Sequence, residues 1–333
     1  MTVLEHDLFT AALWAYLAGT AAYFYYVGFQ KAAAASFGKW VLAAGAAAHA
    51  AAIVLRGVNS GHAPFSNMFE SLSFFAWGVV LIFLFAAGRY GLSAMGAFTA
   101  PLAVLIMGYA SLMEREAAPL VPALQSYWLW IHVITCFAAY AGFAVSFSSS
   151  LMYFGREHGD MRATAAVGVV AGAIVGFAMV YANGFDFSRL SAHVVHYLLF
   201  AVSSLVAAAS AVYLAAPAVR KSLGAGLIGL FPASEELDRI SYWLIRFGFP
   251  FLTVGIITGA VWANYAWGRP WSWDPKETWS LITWFVYLVY LHARVTAGWK
   301  GRRAAFINVV GFVSVIFTFV GVNFILSGLH SYA

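Results

Sequence analysis

The sequence predicts an all-α protein, a polytopic integral membrane bundle of about ten transmembrane helices with an external Trp-rich loop. Three observations carry that prediction. Of 333 residues, 63% are hydrophobic and 9% charged, with a mean hydropathy of +0.81; a soluble domain carries about 25% charge. The apolar residues come in runs of ~20, the length of a membrane-crossing helix, and not in the ~10-residue alternating segments of a barrel strand. The basic residues in the short loops between the runs are unevenly shared between the two sides.

Taken in order, the runs place spans at 8–27, 40–56, 68–88, 93–112, 127–154, 163–182, 193–216, 239–263, 277–296 and 305–327. The longest polar interruption, 217–238, contains Pro217, Pro232 and the acids Glu235, Glu236 and Asp238. Met1 to Asp7 holds two acids and no base, so a cleaved signal peptide is not expected. With the N-terminus outside, inner loops and helix ends carry twelve Lys and Arg and the outer ones five. That asymmetry orients the chain and puts the segment after the eighth span, and the C-terminus, on the outer face. The formal charge of +5 is scattered over short loops, so it reads as topology and no nucleic-acid partner is expected. The single cysteine, Cys136, lies within an apolar run. It can form no intramolecular disulfide and has no Cys-x-x-Cys context, so thiol chemistry by this chain is not expected.

One outer segment stands apart. Trp262-Ala-Asn-Tyr-Ala-Trp-Gly-Arg-Pro-Trp-Ser-Trp-Asp-Pro-Lys-Glu-Thr-Trp279 holds five of the thirteen tryptophans. Gly268, Arg269 and Pro270 interrupt any helix. Asp274 is a good N-cap, Pro275 suits the first helical position, and Glu277 completes a capping box. An interfacial aromatic belt would also enrich tryptophan. A belt is a scatter of rings at one depth, however, and does not call for a compact cluster with a capped exit. A docking face for a large, flat, apolar ligand does.

The histidines sort by depth. His132 ends Tyr127-Trp-Leu-Trp-Ile-His132 at the outer end of the fifth span, and His330 follows the outer end of the last. Two neutral imidazoles beside flat aromatic walls are what a bis-histidine haem iron requires. Each taken alone reads as a capping or interfacial histidine. His292 lies seventeen residues after Pro275, about 26 Å along a helix, and an ionisable group deep in a bilayer is a functional candidate. His49 is also at mid-membrane depth. It either faces His292 or bonds across a helix interface, with the structural role slightly favoured. His62 sits in a loop whose Ser66, Asn67 and Glu70 suit the cap of the third helix. His193 and His196 share one helix face without an evident third ligand. His6 and His158 read as surface residues.

Trp267-Gly-Arg-Pro-Trp-Ser-Trp-Asp-Pro-Lys-Glu-Thr-Trp279, the Tyr-Leu-His292 that follows and the terminal Gly-Leu-His330-Ser-Tyr resemble the CcsA/ResC family of cytochrome c biogenesis proteins. So do Ser60-Gly-His-Ala-Pro-Phe-Ser-Asn-Met-Phe-Glu-Ser71, Leu124-Gln-Ser-Tyr-Trp-Leu-Trp-Ile-His132 and Glu236-Leu-Asp-Arg-Ile-Ser-Tyr242. The tryptophan–aspartate signature is shared with the haem-handling CcmC and CcmF proteins, but the Trp-Ser-Trp-Asp-Pro-Lys-Glu-Thr-Trp form is that of CcsA.

The resemblance implies haem delivery across the membrane and covalent attachment of haem to apocytochrome c, in a system II cytochrome c synthase built with a CcsB/ResB-type partner. The haem, haem b, would be ligand and substrate, and the apocytochrome Cys-x-x-Cys-His motif the acceptor. By resemblance, His132 and His330 are external haem ligands and act in catalysis, and His292 is an intramembrane ligand whose opposite number comes from the partner. Trp267, Trp271, Trp273 and Asp274 belong to the docking loop, with Trp262 and Trp279 flanking it and His49 an added candidate. The expected setting is the bacterial inner (plasma) membrane, with the loop on the periplasmic side. The chain divides into a block at 1–159 with His132, an inserted pair of helices at 160–217 that departs from the family pattern, and a haem-handling block at 218–333. Two alternatives compete: a haem carrier of the CcmC type that does not ligate, and a b-type electron-transfer protein. The latter needs paired intramembrane histidines and leaves the Trp loop unexplained.

Overall fold

The computed structural model describes residues 2–113, 120–183, 194–218, 226, 228–322 and 326, and among them all regular structure is helical. Ten long helices occur in this described part. In chain order they are α1 (Val3–Phe29), α2 (Ala32–Ser60), α3 (Met68–Tyr90), α4 (Gly96–Ala110), α5 (Tyr127–His158), α6 (Arg162–Asn183), α7 (Val194–Ala215), α8 (Ser234–Trp267), α9 (Pro275–Thr296) and α10 (Arg302–Ile316). Within the described residues, each expected span falls on one of them. Among the described residues, six stretches are long and apolar enough to cross a membrane: Ala32–Ser60, Met68–Tyr90, Ser93–Ala110, Tyr127–His158, Ser234–Trp267 and Arg302–Phe319. Helices α1 and α9 are rich in Tyr and Trp, whose polar atoms lower their hydropathy. The helices outrun the apolar runs because capped polar turns extend them. Thr2 and Glu5 form a capping box on α1, and Asn67 accepts the Glu70 amide on α3.

Small residues set the close approaches, as expected where lipid supplies no hydrophobic drive between helices. Helices α1 and α2 run antiparallel, with Gly19 against Leu42 and Gly45 against Ala15 and Tyr16. Helices α5 and α8 also run antiparallel along most of their length. Their register is marked by His132 on Gly255, Gly248 against Phe143, Ser146 on Ser241 and Ser149 on Leu237. Helix α10 lies against α5 through Asn308, whose amide donates to Ser146 and Ser150, both at 2.8 Å. It lies against α9 through Gly311 under the Tyr287 ring. At the far end Asp238 of α8 accepts from Arg294 of α9 at 2.7 Å and from the Gly301 amide at 3.0 Å. Helices α6 and α7, the pair expected as an insertion, pack mainly on one another, with Gly172 against Ser203 and Ala207.

The N-terminal helices enclose a charged triad. Arg56 of α2 donates to Glu70 of α3 at 2.7 Å and to Glu5 of α1 at 3.2 Å, with every side chain at most 4% exposed. The other Glu70 oxygen accepts from the Ser66 amide and hydroxyl at 2.7 and 2.8 Å. Three helices and a loop are thus tied by one guanidinium, whose five donors suit it to such a junction.

Candidate functional site

At the end of the bundle where α5 begins and α8 ends lies a cavity of about 150 Å³. Helix α5 supplies His132, α8 supplies Trp262, the following loop supplies Trp271, α9 supplies Lys276, and the end of α10 supplies Phe319.

His132 is oriented by its neighbours. Its Nδ1 lies 2.7 Å from the Gly255 carbonyl oxygen on α8. That carbonyl is reachable because α8 carries glycine at two facing positions. A Cβ on Gly259 would lie 2.6 Å from His132 Nδ1, and one on Gly255 would lie 2.5 Å from Cys136 Sγ. The imidazole stacks on Trp262 with centroids 6.1 Å apart and planes 16° from parallel. Trp262 is itself 2% exposed and donates its indole N–H to the Ala123 carbonyl at 2.7 Å. Since a carbonyl only accepts, Nδ1 of His132 carries the proton in this contact. A hydrogen bond to one ring nitrogen that fixes tautomer and ring plane is the usual support of a metal-binding histidine.

The Trp loop is built as its residues suggest. Gly268 ends α8 with φ +72°, a conformation that a Cβ disfavours. Asp274 and Glu277 then form the capping box on α9: the Lys276 amide donates to Asp274 at 3.0 Å and the Asp274 amide to Glu277 at 3.2 Å. The tryptophans divide. Trp262 and Trp271 line the cavity, while Trp267 packs edge-on against Trp262 at 4.8 Å. Trp279 lies on Phe317 at 4.1 Å. Trp273 is 69% exposed, at φ +57°, and meets Trp271 edge-on at 5.9 Å. Asp274 is buried as the cap.

Three further histidines have definite places. His49 is fully buried between three helices, with Nδ1 3.2 Å from the Tyr16 hydroxyl and Nε2 2.7 Å from the Ser73 hydroxyl. Both ring nitrogens are therefore engaged by hydroxyls across helix interfaces. His292 is exposed on α9, on a stripe with Ile282, Phe285 and Val289 that faces away from the bundle. His62 bonds the Ala63 carbonyl at 3.0 Å and shapes its loop. His330 and His193 lie outside the described residues, as does the side chain of His196.

Sequence reasoning passed over four contributors: Gly255 and Gly259, which make room for His132, and Lys276 and Phe319. The Lys276 ammonium sits 5.6 Å from the centre of the Phe319 ring and, with Glu277, brings charge to the cavity wall. Phe319 lies in a π-helical turn, Phe317–Gly321, that continues α10; such turns often mark functional positions.

The comparisons with known proteins agree with this architecture. The profile of the family described as Cytochrome C assembly protein matches residues 65–330, which contain α3 to α10 and the whole Trp loop. The cytochrome c biogenesis protein CcsA of Gloeobacter violaceus is 40% identical over 289 residues, covering 84% of this chain and 81% of its own length. That of Synechococcus elongatus is 39% identical over 287 residues, covering 85% and 83%. That of a Synechocystis species is 38% identical over 285 residues, covering 83% and 82%. With a family match over most of the chain and relatives at this identity and coverage, the chain belongs to the CcsA family of cytochrome c biogenesis proteins, integral membrane helix bundles of the cytochrome c assembly class.

Proposed function

We propose that this chain presents haem b for covalent attachment to apocytochrome c, as the CcsA-type subunit of a system II synthase that works with a CcsB/ResB-type partner. The observation that carries the reading is His132. Its Nδ1 is held by the Gly255 carbonyl, its plane is set by Trp262, and the ring lines a cavity with the aromatic walls of Trp262, Trp271 and Phe319. Neutral imidazole with a carbonyl-bound N–H is the form that an axial haem ligand takes. Trp262 and Trp271 suit the macrocycle's apolar faces. Lys276 offers a cation to the carboxylates that haem carries at its edge. His330 is the proposed second ligand of this outer site.

The reaction needs no thiol from the enzyme. Each acceptor cysteine supplies S–H, which adds across a haem vinyl group. A carbon–sulfur bond forms at one vinyl carbon, the proton goes to the other, and the C=C bond becomes single, with no net oxidant or reductant. The residues of this chain hold the vinyl groups beside the incoming thiols and control the iron by axial ligation. The buried Cys136, packed between Gly255 and His132, takes no part in that balance. The histidine of the acceptor motif replaces His132 or His330 as product forms.

His292 fits an inner site shared with the partner, because it is exposed on the outward stripe of α9 and, among the described residues, faces no second histidine. The proposed setting is the bacterial plasma membrane, with the Trp loop on its outer side.

The test is the dithionite-reduced absorption spectrum of the chain purified with its partner, together with cytochrome c maturation in cells. A low-spin bis-histidine haem, lost from the outer site in His132→Ala and His330→Ala along with maturation, is the expected result. Normal maturation in both variants removes the ligand assignment.

A further inference from the structure

At the opposite end of the bundle from the His132 cavity, α5, α6 and α10 leave a groove of about 720 Å³. Its walls are apolar, with Phe154 from α5, Val167 from α6 and Phe306 from α10; its rim carries His158, Arg302 and Arg303. We propose that this groove binds an anionic phospholipid, with the acyl chains on the apolar walls and the headgroup phosphate on the two arginines.

The charge pattern is what a lipid phosphate complements. Arg302 and Arg303 occupy the first turn of α10, whose N-cap, Gly301, makes no side-chain capping bond and whose first turn has no acid. Two cations at the positive end of a helix disfavour each other and the dipole, and an anion there relieves both. Both arginines are exposed. No carboxylate among the described residues lies within ion-pair distance of either. Arg303 instead rests over the Trp299 ring at 5.6 Å. Glu157, the acid nearest in sequence to His158, does not line the groove.

The walls supply the rest of the argument. A free phosphate would leave Phe154, Val167 and Phe306 uncovered, and Phe306 is 62% exposed. A zwitterionic lipid would cover the walls but give the arginines no net charge to balance. Basic pockets between transmembrane helices, at the level of an anionic leaflet, take anionic headgroups for this reason. The groove exists because α6 leans on α5 beside α10, with Ala163 and Val167 of α6 forming one wall. It does not depend on the haem reading.

The experiment is native mass spectrometry of the full chain released from nanodiscs of equimolar phosphatidylglycerol and phosphatidylcholine. The expected result is preferential retention of phosphatidylglycerol by the wild type. The Arg302→Gln/Arg303→Gln variant should lose that preference by roughly tenfold. Val167→Trp, which fills the groove and leaves both arginines in place, should lower retention of the same lipid. Equal retention of the two lipids by the wild type overturns the proposal, and so does full preference in the arginine variant. Displacement of phosphatidylglycerol by inorganic phosphate would make this a free-anion site and sink the lipid reading. Haem in place of lipid, seen as a Soret band lost with the arginines, would also sink it.

Discussion

His132 Nδ1 lies 2.7 Å from the carbonyl oxygen of Gly255, 123 residues away on the neighbouring helix. The bond, with the flat face of Trp262 lying 16° from parallel with the ring, gives the imidazole one orientation. The contact depends on two absent side chains. A Cβ at Gly259 would stand 2.6 Å from Nδ1, and one at Gly255 would crowd Cys136.

Gly259→Val should therefore displace the His132 ring without removing it. Supporting contacts of this kind are worth roughly 10- to 100-fold in metal affinity, so haem retention at the outer site should fall by about that factor. Helix content by circular dichroism should stay near wild type. The reduced absorption spectrum and a haem titration check it. Unchanged haem affinity would show that the Gly255 bond does not govern the ligand.

The helices and the Trp loop were legible because their signals are local. Runs of ~20 apolar residues mark spans, and Asp274 to Glu277 announces a cap within four residues. What was not legible is which groups meet across helices. Glu5 and Arg56 are 51 residues apart, and Arg56 reads from sequence as one more loop-end charge. Lys276 stands beside Asp274 and Glu277 and looks solvated until the fold turns it toward Phe319. Among five clustered tryptophans the sequence cannot say that Trp262 and Trp271 face the cavity while Trp273 is 69% exposed.

The Glu5–Arg56–Glu70 triad gives an asymmetric prediction. Arg56→Met leaves two buried carboxylates without their counter-charge, and breaking a buried ion pair from one side costs about 3–5 kcal/mol. Glu5→Gln leaves a neutral Arg56–Glu70 pair and still offers Arg56 an amide oxygen, so it should cost about 1 kcal/mol or less. Thermal unfolding in one detergent compares them. Equal losses would mean that the triad is no electrostatic unit.

His49 is bonded at both ring nitrogens, by Tyr16 and by Ser73. His49→Phe orphans two buried hydroxyls at a cost of roughly 1–3 kcal/mol, and His49→Gln should recover part of it by restoring a partner. Neither variant should alter the reduced haem spectrum of the complex. A lost low-spin band at normal stability would instead make His49 a ligand, and would require the three-helix junction to open around it.

His292 separates the chain alone from the chain with its partner. It lies on the outward stripe of α9 with Phe285 and Val289, which are each 51% exposed. Two residues farther along the same helix, Arg294 is clamped to Asp238 at 2.7 Å, so the α9 backbone at this depth is held while the imidazole stays presented. In the isolated chain His292→Ala should leave any haem spectrum unchanged, since among the described residues no second histidine faces it. In the complex it should remove one low-spin haem population and leave the outer one, so bound haem per complex should fall by about half if both sites fill to the same extent. Pyridine haemochrome assay of haem per complex measures this directly. A loss of the outer population as well would mean that haem reaches the His132 cavity by way of His292, and the two sites would then be stations on one path instead of independent sites.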